Sequence, residues 1–262
     1  MKIDYNLQLN KNNKLQHFLN IENLSKEHIN EIIDLADNYI SSDSNKFKDL
    51  EGKTIASLFF EPSTRTKTTF ELASKRLSAD FINIDIANSS TLKGESILDM
   101  IKTLEAMECD MFIVRHSSSG TPHYIAKEVG DKISIINAGD GIHAHPTQAM
   151  LDMYTIKKHK GGFENLNVSI VGDILHSRVA KSLIASLKIL SVANINIIGP
   201  KNLMPENINE LGVNYFSNLE EGINNVDVII MLRLQQERMK EAFISTEDYY
   251  NDYGLTKKKI KL

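Results

Sequence analysis

Apolar positions along the chain keep switching between two spacings. From residue 25 to 40, Ile29, Ile32, Ile33, Ala36, Tyr39 and Ile40 recur on one helical face, with Ser25 placed to cap it. The polar run SSDSNKFKDLEG reads as a loop, and KTIASLFF, β-prone and without helical period, reads as a strand. A helix follows through Leu77, then strand FINIDIA, loop ANSSTLKG, helix ESILDMIKTLEAM and strand CDMFIVRH. Helix TPHYIAKEVG comes next, with Thr121 as its expected cap and Pro122 at its first position, and then strand ISIIN. A helix opening near Pro146 (PTQAMLDMYTIKKHK) stops at Gly161-Gly162. Strand NVSIVG, a helix from Ser177 to Leu190, strand NINIIG, a short helix near PENINELG and strand DVIIML complete the alternation.

Strands that alternate with helices predict an α/β fold whose parallel sheets are covered on both faces. Both halves of the chain show the pattern. It predicts two domains, 1–142 and 143–262, each a parallel sheet flanked by helices, joined by a bridging helix at about 146–159. Neither a short internal repeat nor a low-complexity tract interrupts it.

Composition narrows the classes. With 262 residues, 42% hydrophobic and 24% charged, the chain can bury a substantial core, and no apolar run approaches the roughly 20 residues of a membrane span. The start, MKIDYNLQLNKNN, lacks the apolar stretch of a secretory signal, and the one cysteine, Cys109, cannot form an intramolecular disulfide; both predict a cytoplasmic protein. Cys109 reads as a small buried residue at the start of a strand. A net charge of -4 argues against a nucleic-acid partner held by phosphate neutralisation. An anion would have to be caught by a local cluster.

Such a cluster lies in FFEPSTRTKTTFE, residues 59–71. An open parallel sheet gathers ligands where strand C-termini meet helix N-termini. Ser63, Thr64, Arg65 and Thr66 fall there, beside first-turn N–H groups that have no internal partner and lie at the positive end of the helix dipole. Arg65 can offer two parallel donors to phosphate oxygens. The plain alternative is a Ser or Thr cap followed by a solvated arginine. Neither GxxxxGK[ST] nor GxGxxG occurs, so the expected anion is small. Other strand ends bring Arg115 and His116, then His143, His145 and Gln148, to the same edge, a set suited to a polarised carbonyl beside a phosphate. In the second half, VGDILHSRVAKS carries Arg178 in a helix's first turn, and DVIIMLRLQQER sets Arg233 and Gln235 after a strand. Two guanidinium forks on one domain suit a dicarboxylate, against the alternative of an ordinary cap and a solvated face.

PSTRTKTTFE, SSTLKGES, the Arg-His pair, AGDGIHAHPTQ, GDILHSRVAKS and MLRLQQER together resemble the catalytic chains of the aspartate carbamoyltransferase family, in order and along nearly the whole length. STRT and HPTQ are shared by transcarbamoylases generally; the last two segments resemble the aspartate-selective enzymes. The resemblance implies transfer of the carbamoyl group of carbamoyl phosphate to the α-amine of L-aspartate, the committed step toward pyrimidines, with no metal and no cofactor. It implies a carbamoyl phosphate site of Ser63, Thr64, Arg65, Thr66, Ser89, Lys93, Arg115, His145 and Gln148, and an aspartate site of Lys93, Arg178, Arg233 and Gln235. Thr66, Arg115 and His145 are expected at the carbonyl oxygen, and Gln148 at the carbamoyl nitrogen. Ser89 and Lys93 are expected to reach a neighbouring subunit's site in a homotrimer. A regulatory chain or a dihydroorotase is a conceivable partner, and no nucleic acid or membrane is implied. Departures are Lys67, where many relatives carry arginine, and a C-terminus at Leu262, ahead of a loop and helices with which relatives continue; that departure predicts weakened stability and poor catalysis. The alternatives are a transcarbamoylase for another amino acid and a noncatalytic phosphate-binding scaffold.

Overall fold

Buried apolar strands set the frame of both halves. The computed structural model describes residues 5–86, 96–239 and 245–261. In the first half, β1 (Thr54–Phe59), β2 (Asp80–Ile84), β3 (Met111–His116) and β4 (Ser134–Asp140) form a parallel sheet in the order β2-β1-β3-β4. Central β1 and β3 are buried almost end to end, as strands covered on both faces must be, whereas edge strand β2 is largely open. Alternating side chains feed two cores. Ala56, Leu58, Phe112, Val114 and Ile135 pack with Ile101 of α3 (Ile97–Ala106) and Ile125 of α4 (Thr121–Glu128). Ile55, Ile113 and Ala138 pack with Phe70 of α2 (Thr64–Arg76) and Phe81. Cys109 is buried just ahead of β3.

Helix α1 (Lys26–Ser41) is capped by Ser25, whose hydroxyl accepts from the His28 N–H. The polar N-terminal segment runs beside β4. The Phe18 N–H donates to the Ile135 carbonyl at 2.8 Å, and the Asn137 N–H donates to the Phe18 carbonyl at 2.9 Å. The cap of α4 differs from the reading. Gly120, at φ 89, a left-handed conformation that suits glycine, occupies the cap and Thr121 is the first helical residue; the Gly120 N–H donates to Asp140.

In the second half, β5 (Asn167–Val171), β6 (Asn194–Ile198), β7 (Asn214–Phe216) and β8 (Val228–Met231) form a parallel sheet ordered β7-β6-β5-β8. The helices are α6 (Arg178–Ile189), α7 (Leu219–Gly222) and α8 (Thr246–Tyr253), and the short helix expected near PENINELG is a 3-10 turn, Ile208–Glu210. Val171, Ile198, Leu203, Leu219, Ile223, Tyr249 and Tyr253 make a core of this half.

The chain divides into two compact units, Met1–Met150 and Leu151–Leu262, and the division falls within α5 (Pro146–Lys160). Four basic residues close α5 at the negative end of its dipole, and Gly161 at φ 79 ends it. Among the described residues, no helix is long and apolar enough to cross a membrane.

Candidate active site

In the first unit the chain leaves β1 for β2 on one side and returns to β3 on the other. A parallel sheet opens a crevice at the strand C-termini where its order reverses in this way. Phe59 and Arg115 are register partners across that reversal, and the Phe60 N–H donates to the Arg115 carbonyl at 2.9 Å. The chain then passes through Glu61 and Pro62 into α2, so Ser63 to Thr66 stand at the mouth of the crevice.

Ser63 holds the cap position of α2, yet its side chain makes no capping hydrogen bond. Elsewhere the serine hydroxyls do cap. Ser25, Ser96, Ser177 and Ser245 accept from the N–H groups of His28, Asp99, Ala180 and Asp248. The first turn of α2 contains no acid, whereas α1, α3, α7 and α8 all carry Asp or Glu there. Instead it carries Arg65, a charge that the helix dipole disfavours. Thr64 and Arg65 are exposed, and Ser63 and Thr66 are half-buried. An uncapped, acid-free helix start with hydroxyls and a guanidinium around it can accept an anion.

Arg115 reaches over the same edge. Its Nε lies 3.1 Å from Glu61 Oε2, and its Nη1 donates to the Ala138 carbonyl at 3.2 Å, so the guanidinium spans from the exit of β1 to β4. Glu61 went unnoticed in the sequence, although it directly precedes the Pro-Ser-Thr-Arg run. His116 turns away from donor work: its Nδ1 accepts from the Ser118 N–H at 2.8 Å, and its ring packs 4.9 Å from that of Phe60. Desolvation lowers its pKa, against the pull of Glu61 and Asp140, and leaves it a neutral ring.

Beyond β4, His145 is buried, with Nδ1 3.4 Å from the Thr147 hydroxyl. Its carbonyl accepts from the N–H groups of Gln148 and Ala149 as α5 begins. His143 is drawn instead to Asp140, 2.9 Å from Nδ1 to Oδ2. Ser63, Thr64, Arg65, Thr66, Arg115, His145 and Gln148 therefore all lie at or beyond strand ends of one unit. Ser89 and Lys93 lie outside the described residues.

The second sheet reverses between β5 and β8, and the remaining candidates lie there. The Leu232 N–H donates to the Val171 carbonyl at 2.8 Å, and a Cβ on Gly172 would come within 2.9 Å of Leu232 Cβ, so the two strand exits touch. Asp173, fully buried, joins their loops. Its Oδ1 accepts from the His176 N–H at 3.1 Å and faces His176 Nδ1 at 2.9 Å, while its Oδ2 accepts from the Gln235 N–H at 3.2 Å. Arg178 is only 2% exposed at the first position of α6; Gln235 is buried, and Arg233 is exposed with Nη1 on the Leu234 carbonyl. Burial, with the Asp173 charge behind it, pushes the Tyr249 hydroxyl up to about 12, so it stays protonated. Asp173 was missed too; the Gly-Asp step after a strand was its signal. Among the described residues, no group of three or more His, Cys, Asp or Glu side chains is arranged to hold a metal ion.

Two family models cover most of the chain. Residues 16–158 match the carbamoyl-P binding domain of aspartate/ornithine carbamoyltransferase, and residues 164–262 match its Asp/Orn binding domain. Among solved structures, an aspartate transcarbamoylase from Trypanosoma cruzi, in complex with aspartate and phosphate, is 30% identical with a TM-score of 0.76, over 86% of this chain and 78% of that one. The catalytic subunit of M. jannaschii aspartate transcarbamoylase is 32% identical with a TM-score of 0.77, over 91% and 79%. Ornithine carbamoyltransferase from Thermus thermophilus, 23% identical with a TM-score of 0.81 over 94% and 81%, shares the fold.

Proposed function

The chain belongs to the aspartate/ornithine carbamoyltransferase family, and on that footing we propose that it transfers the carbamoyl group of carbamoyl phosphate to the α-amine of L-aspartate, giving N-carbamoyl-L-aspartate and phosphate for pyrimidine synthesis. The observation that carries the reading is the uncapped start of α2 beside Arg115 at the first sheet's reversal. Ser63, Thr64, Arg65 and the α2 N–H groups take the phosphate. Thr66, Arg115 and His145 donate to the carbonyl oxygen, and Gln148 meets the carbamoyl nitrogen. Arg178, Arg233 and Gln235 hold the two carboxylates of aspartate. Aspartate rather than ornithine is favoured by the two arginines at the second reversal, which suit a diacid and repel a second amine.

In the reaction the amine attacks the carbonyl carbon and negative charge grows on the oxygen. Donors placed in advance stabilise it; one such donor is typically worth about 10² to 10³ in rate. The carbon–oxygen bond to phosphate then breaks, and the departing phosphate takes the amine proton. No metal or organic cofactor is required, because the substrate carries its own leaving group.

Purified chain supplied with carbamoyl phosphate should form carbamoyl-aspartate from L-aspartate and far less carbamoyl-ornithine from L-ornithine. Arg233→Ala should raise the aspartate requirement far more than the carbamoyl phosphate requirement. Preference for ornithine, or equal effects on both requirements, would contradict the assignment.

Ser89 and Lys93 are proposed to serve a neighbouring copy in a homotrimer. The exposed apolar side chains Leu72 on α2 and Ile82 on edge strand β2, 52% and 41% exposed, support a subunit contact on this side of the first unit. Mixed Lys93→Ala and Arg115→Ala chains should regain activity that neither has alone. Trimers without recovery would refute the sharing.

A further inference from the structure

Behind His145 lies a cluster of buried polar groups to which the reading above gives no contact with substrate. Asp140 is fully buried, and four donors converge on it. Oδ2 accepts from the Gly120 N–H at 2.7 Å and faces His143 Nδ1 at 2.9 Å; Oδ1 accepts from Asn137 Nδ2 at 2.9 Å and from the Ala144 N–H at 3.1 Å. Burial alone would raise the pKa of this carboxyl, but the bonds from His143, Gly120 and Asn137 outweigh it and hold the group below the usual aspartate range. It is a buried anion, an arrangement that costs stability unless every oxygen is satisfied.

The donors come from separate segments, which gives the arrangement its meaning. Gly120 ends the loop after β3, Asn137 lies within β4, and His143 and Ala144 belong to the loop after β4. One side chain therefore ties together both loops that leave the sheet beside Arg115. The backbones are pressed as closely as the side chain implies. Gly141 has φ 45, its N–H donates to the His116 carbonyl at 2.9 Å, and a Cβ there would lie 2.7 Å from the Ser119 nitrogen. The Asp140 N–H also donates to the Ala144 carbonyl at 3.1 Å, closing a tight loop whose next residue is His145.

The brace continues into the N-terminal segment. Asn137 Nδ2 also donates to the Leu19 carbonyl at 2.8 Å, and Gln8 Oε1 accepts from the N–H groups of Leu19 and Asn20. Asn20 Oδ1 accepts from Gln8 Nε2, so Asn20 Nδ2 is the donor to His123 Nε2 at 3.3 Å. The His123 ring in turn packs edge to face, 5.5 Å away, on that of His143. Polar contacts thus run unbroken from Gln8 to the residues that present His145.

We propose that Asp140 is a positioning residue of the transferase: through Ala144, His143 and Gly120 it fixes His145 and the loop after β3 against the end of the first sheet. This inference rests on the carbamoyl-transfer reading. Asp140→Asn keeps the size of the side chain but turns one acceptor oxygen into a donor that faces other donors. A displacement of about 1 Å at His145 is enough to cost on the order of 10² in rate.

The test measures kcat, both KM values and the thermal midpoint of Asp140→Asn beside the unaltered chain. The expected result is kcat lower by about 10²-fold with KM for L-aspartate within about 3-fold, since Arg178, Arg233 and Gln235 belong to the other unit. A lower thermal midpoint with kcat unchanged in the folded protein would overturn the proposal, because a merely structural carboxylate behaves that way. If Asp140→Asn does not fold, His143→Leu removes one of the four contacts at a half-buried position; kcat should fall roughly 10-fold, and an unchanged value overturns the proposal equally. Should the unaltered chain form no carbamoyl-aspartate, the functional reading fails first and takes this inference with it.

Discussion

At the first reversal, Ser63 precedes Thr64-Arg65 and leaves α2 uncapped; at the second, Ser177 precedes Arg178 and its hydroxyl accepts from the Ala180 N–H, closing α6. Both helices begin with serine and arginine, and neither has an acid in its first turn. The difference lies in what the serine does. Around α2 the N–H groups and hydroxyls remain, a shallow and partly exposed cradle suited to the many oxygens of a phosphate. Around α6 the Ser177 hydroxyl already takes one first-turn N–H, and the Arg178 side chain, 2% exposed, has a guanidinium whose fork matches a carboxylate. On the function proposed above, one strand-to-helix device would serve two anion chemistries according to whether its serine caps.

The largest effect should come from the buried guanidinium. Arg178→Lys keeps a positive charge and an apolar stem but loses the bidentate fork, so KM for L-aspartate should rise on the order of 10²-fold with KM for carbamoyl phosphate nearly unchanged. Saturation kinetics in each substrate measures both. If the two constants rise together, the second reversal is not a separate carboxylate subsite.

A paired serine exchange then sharpens the contrast. Ser177→Ala removes a cap and should lower stability by about 1 kcal/mol, with little change in KM for carbamoyl phosphate. Ser63→Ala removes no cap, so the thermal midpoint should hold while carbamoyl phosphate binding weakens roughly 10-fold, the worth of one hydrogen bond to a charged group. Thermal melts and phosphate-analogue titrations on both variants decide the matter. A stability loss in Ser63→Ala matching that of Ser177→Ala would erase the distinction.

Much of this architecture was legible because parallel strands covered on both faces must be largely apolar, and TIASLF, MFIVRH and NVSIV are so apart from Ser57, Ser169 and the polar residues at their ends. Chemistry at strand ends was legible for a related reason: in such a sheet, polar residues that directly follow an apolar run fall at the ligand-bearing edge. Strand order was not, since nothing local to β1 or β5 tells on which side the next strand lies, and without it the two reversals could not be located. Capping was ambiguous in principle. Ser63 and Ser177 look alike in sequence, and only the path of the preceding loop separates them. Asp140 and Asp173 drew no reading from the sequence, because their burial depends on donors up to 62 positions away. Strand β7 and helix α7, three and four residues long, are too short to show a period.

The smallest expected effect distinguishes the units by acid sensitivity. His17 and His123 both belong to the first unit, and burial lowers the pKa of each from 6.5 to about 4. His17 Nδ1 accepts from the Ile135 N–H at 3.1 Å, a bond that survives only while the ring is neutral. An unfolded chain takes up these protons near pH 6.5, whereas the folded one resists until about pH 4. Acidification through that window therefore favours unfolding; the stability is fully present above pH 6.5 and is lost as pH falls toward 4, by about 1–2 kcal/mol per histidine after allowance for residual solvation. His17→Asn places an amide oxygen where Nδ1 accepts and does not titrate, so stability measured by denaturant unfolding at pH 7 and pH 5 should differ less in that variant than in the unaltered chain. An equal difference in both would mean that His17 is protonated without disturbing the Ile135 contact, and that the packing of the N-terminal segment on β4 is looser than its hydrogen bonds indicate.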